Sequence, residues 1–201
     1  MKKLSAVFLY MLLLACKPEA EDQNAAFDTF KETFIEDLWT VYPEWASMVG
    51  YHKYDSLLVV PDAASREEEL NFATEKLEQL TRFDVTNLSE NNQTDYYLIK
   101  NELDNIRWSI REEKSFEWNP SLYNVSGLFA EMLVNNYDSL DTRLRHFGRK
   151  LAFTPAYYRA AKQNIKNPSN VHTDLAISQN LGGISVFDQD LKAALQRSGL
   201  S

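Results

Sequence analysis

The chain has 201 residues, with 21 Lys and Arg against 29 Asp and Glu and a formal charge of −8. That length predicts one domain with a sizeable core, and the acidity argues against non-specific nucleic-acid binding. A single Cys excludes an internal disulfide framework and Cys-rich zinc sites, and only six Gly and six Pro argue against a loop-rich β architecture.

The N-terminus reads as a processing signal over residues 1–15. Lys2 and Lys3 precede an apolar run from Leu4 to Leu14. That run is too short to span a bilayer, which needs about 20 residues, and suits a secretory signal. Cys16 follows directly, in Leu13-Leu14-Ala15-Cys16. This run resembles a bacterial lipobox, in which the Cys becomes the lipidated first residue of the mature protein. Leu14 departs from the small or β-branched residue usual at that place. The plainer alternative is an ordinary signal peptide with a chance Cys. Lipidation predicts a lipid-anchored protein of the bacterial envelope, on the periplasmic or surface face of the outer membrane. Residues 16–26 then form the lipidated Cys and a polar, acidic tether.

A helical domain is predicted from residue 27 to 201. Phe27, Phe30, Phe34, Leu38 and Val41 recur at helical spacing. Pro43 ends that helix and suits the first turn of the next, for which Gly50 is a C-terminal stop. Val59-Val60 is a β-like run cut short by Pro61. Ser65 and Glu68 make a capping box, with Leu70, Ala73, Leu77 and Leu80 as the buried stripe and an end near Phe83. Ser89 is the next N-cap. The helix behind it, Glu90 to Glu113, presents Tyr96, Ile99, Leu103, Ile106 and Ile110 and would be roughly 36 Å long. Pro120 or Ser121 should start a helix reaching about Asn135. Asp138 or Ser139 should cap the next, whose core face is Leu140, Leu144, Phe147 and Leu151. Thr154 should cap, and Pro155 open, a helix that Asn167-Pro168 stops. A last helical region spans Thr173 to Ser198, where Gly182-Gly183 marks a break or a close helix crossing. The fold class is all-α, with about seven helices.

The charged residues give few leads. Arg143, Arg145, Arg149 and Lys150 form a basic patch, and Arg145 and Arg149 stand one turn apart, away from the apolar face. The plain reading is a solvated or ion-paired surface; the functional one is recognition of a peptide carboxylate, which Arg matches with paired donors. His52 is expected in an exposed turn, His146 at the edge of the core and His172 near a helix start. None has a partner at metal-ligand spacing. Asp138, Asp141 and His146 lie close enough in sequence to approach one another, and Glu67, Glu68 and Glu69 read as a solvated helix start. Trp39, Trp45, Trp108 and Trp118 read as core or groove-wall residues. No GxSxG motif supports serine catalysis.

The opening Phe/Trp-rich helix, its Pro-Glu successor, the Gly stop and the Tyr-Asp turn resemble the bacterial family catalogued as domain of unknown function 885. So do Trp118 to Tyr123 (WNPSLY), the helix junction at Thr154-Pro155 and Ala176 to Gly183 (AISQNLGG). The resemblance runs from about Phe27 to the end. It implies a likeness to zinc metallopeptidases of the thimet-oligopeptidase kind, whose HExxH helix lies in the C-terminal half. No such motif occurs here, so no catalytic or metal residue can be assigned. Zinc is expected only with a C-terminal part, and the chain is expected to be the N-terminal helical portion, inactive alone. The alternative is a complete, non-enzymatic helical lipoprotein that binds a peptide or a partner protein. The first reading predicts exposed aromatic residues, among them Trp108, Trp118, Phe129 and Tyr157, where the other half would pack.

Overall fold

A computed structural model describes residues 23–200. The signal segment, Cys16 and most of the tether lie outside the described residues. Among the described residues there is no strand, and the fold is all-α. The elements are α1 (Gln23–Val41), α2 (Pro43–Met48), a 3₁₀ turn (His52–Tyr54), α3 (Ala63–Leu80), α4 (Glu90–Trp108) and α5 (Ser115–Trp118). After a 3₁₀ turn at Pro120–Tyr123 come α6 (Ser126–Val134), α7 (Leu140–Leu151), α8 (Thr154–Asn164), α9 (Asn170–Ser185) and α10 (Leu191–Arg197). A wider π turn extends α4 through Ser109–Glu113, and another joins α9 to α10 through Val186–Asp190. With α9 and α10 counted as one rod, seven helices reach seven residues or more, as the periodicity predicts.

Two apolar cores hold the helices. In the first, α3 and α4 pack along each other and α1 lies against both. Phe27, Phe34, Leu38, Phe72, Leu80 and Leu103 form its centre. The second gathers Val125, Phe129, Met132, Leu144, Phe147 and Val186 from α6, α7 and the second π turn, with Leu58 reaching in from the N-terminal half. Phe27 and Phe129 are both 0% exposed. Full burial of such a side chain contributes about 1.5–3 kcal/mol.

Local signals fix most of the helix ends. Gly50 has φ +89°, the left-handed conformation that a C-terminal stop requires. The Ser89 hydroxyl caps α4 by accepting from the Asn92 N–H, and Ser139 does the same for α7 through Thr142. Gly183 is a close crossing: a Cβ there would run into the Ser126 side chain at the start of α6.

Other ends differ from expectation. Asp62, not Ser65, caps α3; its carboxylate accepts from the Ala64 and Ser65 N–H groups at 2.9 and 3.0 Å. A carboxylate before the helix reaches two orphan donors where the hydroxyl reaches none. The buried stripe of α3 is accordingly rolled to Phe72, Ala73, Lys76 and Leu80. The helix expected from Pro120 is split, because Asn119 and Asn124 each fold an Asx-type turn onto the second residue beyond. Thr154 does not cap α8; its hydroxyl donates back to the Leu151 carbonyl. Residues 57–60 are extended but pair with no other strand.

Candidate functional site

Where the two cores meet, a cleft of about 390 Å³ opens between Tyr42, Glu44, Val59, Glu69, Leu122 and Tyr157. Its size and mixed lining are those of a small-ligand site. Glu44 enters it from the first turn of α2, placed by Pro43 at the helix start. Glu69 enters from α3, three residues before Phe72 and four before Ala73, so the core face of that helix carries it inward. One Glu44 oxygen accepts the Val59 N–H at 2.5 Å. The Tyr42 hydroxyl donates to Glu69 at 2.8 Å.

Burial pushes both carboxyls above the ordinary Glu value. For Glu44 the Val59 N–H and the Lys150 charge oppose that rise. For Glu69 the Tyr42 hydroxyl and Arg66 oppose it, while the charge of Glu44 adds to it. Burial also raises the Tyr42 and Tyr157 hydroxyls, helped by Glu69 and Glu44 respectively. Two carboxyls and two phenols thus share a poorly solvated space in which ionising one group hinders the next.

A second polar nest lies behind the cleft, between α2, the first 3₁₀ turn and α7. Asp55 is almost fully buried. It accepts from Ser47 Oγ at 2.6 Å and meets His52 Nδ1 at 3.1 Å. Burial alone would raise the Asp55 carboxyl; the Ser47, Tyr137 and His52 side chains outweigh it and hold the group below the ordinary carboxylate value. Lys150 is 1% exposed. Burial lowers its ammonium below the ordinary Lys value, while the charges of Glu44 and Asp55 partly restore it. Lys150 therefore links the nest to the cleft.

The basic patch read from sequence divides in two. Arg143 and Lys150 turn inward. Arg143 donates to the Met132 and Asp138 carbonyls, closing the C-terminal end of α6 onto α7. Arg145 and Arg149 are exposed on the opposite side of α7. Neither lines the cleft or the nest.

The His residues fare unevenly. His52 is not simply exposed: it pairs with Asp55 and stacks on Tyr137. His146 sits at the core edge with Nδ1 2.5 Å from Ser56 Oγ. His172, in the first turn of α9, meets Ser169 Oγ at 3.2 Å and the edge of Trp118. Glu67 and Glu68 are solvated, as read, but Glu69 is not. Asp138, Asp141 and His146 form no joint site; Asp141 instead accepts the Gly199 N–H. Among the described residues no group of three or more His, Cys, Asp or Glu side chains is placed to hold a metal ion. The expected set of exposed aromatics is also corrected. Trp108 is 52% exposed, but Phe129 is sealed in the second core, and Trp118 and Tyr157 are half-buried.

The described residues contain no helix long and apolar enough to cross a membrane. A solved structure described as a putative lipoprotein of unknown function from Shewanella oneidensis is similar to this chain, with a TM-score of 0.84 and 42% sequence identity over 87% of the chain. The match covers 32% of that protein, so the chain spans about a third of its length. No curated protein matches. Residues 43–199, from the start of α2 to the end of α10, match the family described as bacterial protein of unknown function (DUF885). The chain belongs to that family.

Proposed function

We propose that the chain is a lipid-anchored envelope protein whose helical body binds a positively charged, peptide-like ligand in the cleft between the two cores. The observation that carries the binding reading is the convergence of Glu44 and Glu69, from two different helices, on one cleft between Tyr42 and Tyr157. Burial favours the protonated form of both, and the charge of Glu44 adds to this at Glu69. A ligand ammonium adds a counter-charge inside the cleft to those of Lys150 and Arg66, and the tyrosine rings offer it polarisable walls. Binding would release protons as the carboxyls ionise.

Calorimetric titration tests this with a short peptide carrying a free N-terminal ammonium, the same peptide acetylated, and an acetylated one carrying Lys. Charge-assisted hydrogen bonds contribute about 1.5–3 kcal/mol, so acetylation without Lys should weaken binding by at least about tenfold. Glu44→Gln and Glu69→Gln should do the same. Equal affinity of all three peptides would reject the reading. A ligand carboxylate, if read at all, would fall to Arg145 and Arg149, and Arg149→Ala would then weaken peptides with a free C-terminus more than amidated ones.

Anchoring rests on the lipobox-like run ending at Cys16 and on the description of the Shewanella relative. Labelled palmitate should enter the wild type and not Cys16→Ala; equal labelling would discard it. Kinship with zinc peptidases rests on the sequence resemblance. In that setting this chain would contribute a binding wall, and the metal would come with other parts of the protein.

A further inference from the structure

The C-terminal third of the chain presents a face that its own helices leave uncovered. Helix α9 carries a single charged residue, Asp174, between Asn170 and Ser185. Its Ala176 and Gly183 side is buried against the 3₁₀ turn and α6. Its outward sides mix polar residues with large apolar ones: Val171, Leu175, Ile177, Leu181 and Ile184 are between 45% and 74% exposed. Ile177, Leu181 and Ile184 follow at helical spacing and form one ridge. Beside the ridge, between α8 and α9, run two adjoining hollows of about 490 and 520 Å³ that share Tyr158, Lys162, Ile177 and Asn180. An uncovered apolar ridge beside two hollows marks an interaction surface.

We propose that this face is the seat of further polypeptide of the kind the longer Shewanella relative carries, and that the ridge of Ile177, Leu181 and Ile184 is its central contact. The choice of occupant follows from length. The Shewanella relative keeps this fold at 42% identity, yet the matched part is 32% of its chain. That chain therefore carries about twice as much polypeptide again, which must pack against something. The near-neutral α9 face suits a permanent interior contact, since obligate interfaces resemble a domain core cut in two. The transient capture of a charged partner would call for a different lining. The inference does not depend on what the cleft between Glu44 and Glu69 binds.

Thiol labelling tests it. Cysteines replace Ile177 or Leu181, one at a time, in the full chain with Cys16→Ser, and replace the aligned residues in the intact Shewanella protein. Tyr97→Cys, on the outward face of α4, is the reference, and Ile184→Cys serves where another variant melts early by circular dichroism. Maleimide uptake is read peptide by peptide by mass spectrometry. In this chain the ridge thiols should react as fast as the reference. At the aligned positions of the longer relative they should react at least about tenfold more slowly. Equally fast labelling in the relative overturns the proposal. So does protection in this chain that grows with protein concentration, which would make a second copy the occupant.

Discussion

The His52 and Tyr137 rings lie face to face, with centroids 3.4 Å apart and planes 4° from parallel. The pair joins the turn after α2 to the loop between α6 and α7, and Asp55 grips the imidazole from its edge. The Tyr137 hydroxyl is buried beside the Asp55 carboxylate, which it helps hold below the ordinary carboxylate value. The ring and the hydroxyl therefore contribute to stability in separate ways. Tyr137→Phe keeps the stack but removes the hydroxyl that helps hold Asp55 ionised, so its denaturant midpoint near neutral pH should fall modestly below that of the wild type. Tyr137→Ala should cost about 2 kcal/mol through lost packing and stacking.

Acid and base act on different carboxyls. Asp55 titrates below its ordinary 3.8 in the folded chain. Its contribution is present above the unfolded value and is lost as pH falls through the folded one. Glu44 and Glu69 titrate above their ordinary 4.5. Their contribution is present below that value and is lost as pH rises through the folded ones. Urea melts from about pH 3 to about pH 7 should show a shallower acid limb for Asp55→Asn. Glu44→Gln and Glu69→Gln should instead flatten the decline on the side above the ordinary Glu value.

Lys150 should matter more as a counter-charge than as a cation in its own right. Lys150→Met keeps the apolar volume but removes the cation that interacts with both Glu44 and Asp55. Removing one partner of a buried charge set costs about 3 kcal/mol. Adding Glu44→Gln should recover part of that loss, and the double-mutant cycle measures the coupling. Strict additivity would show that Lys150 and Glu44 do not interact.

The two neighbouring glycines of α9 should respond in opposite directions. A Cβ at Gly183 meets both side-chain atoms of Ser126, whereas one at Gly182 meets nothing within 4 Å. Gly183→Ala forces α9 away from α6 and should cost about 1–3 kcal/mol. Gly182→Ala gains helix propensity and should stabilise by up to about 1 kcal/mol. Thermal melts of the two variants make the comparison.

What could be read from the sequence was what is local. The Phe27 to Val41 stripe, the Gly50 stop and the Ser89 cap each depend on spacing within a few residues, whereas Gly182-Gly183 leaves a break and a close crossing both open, and only Gly183 makes the crossing. The direction in which a charged side chain points does not follow from such spacing, because it depends on how far a helix rolls against its neighbours. Glu69 stands beside the solvated Glu67 and Glu68 in sequence, but the buried stripe of α3 takes in Phe72 and Lys76 in place of Leu70 and Leu77, which turns Glu69 inward. For α7 a signal was present. Arg143, Phe147 and Lys150 stand at steps of four and three, so the face that buries Phe147 also buries the two cations, while Arg145 and Arg149 fall opposite. Glu44 gave no such sign, since only the distant chain at Val59 and Tyr157 turns its surroundings into a cleft.

Residues 56–61 stitch the two halves together. Leu58 is buried in the second core, the Val59 N–H is held by Glu44, the Pro61 carbonyl accepts from Asn164, and Ser56 meets His146. A growing polypeptide emerges N-terminus first. Helices α1, α3 and α4 can close their core while α6 to α10 are still unmade, but the stitch cannot be tied until α8 has appeared. During synthesis, then, Leu58 and its neighbours form a waiting strap, exposed to any chaperone in reach until the distant end of the chain arrives to fasten it.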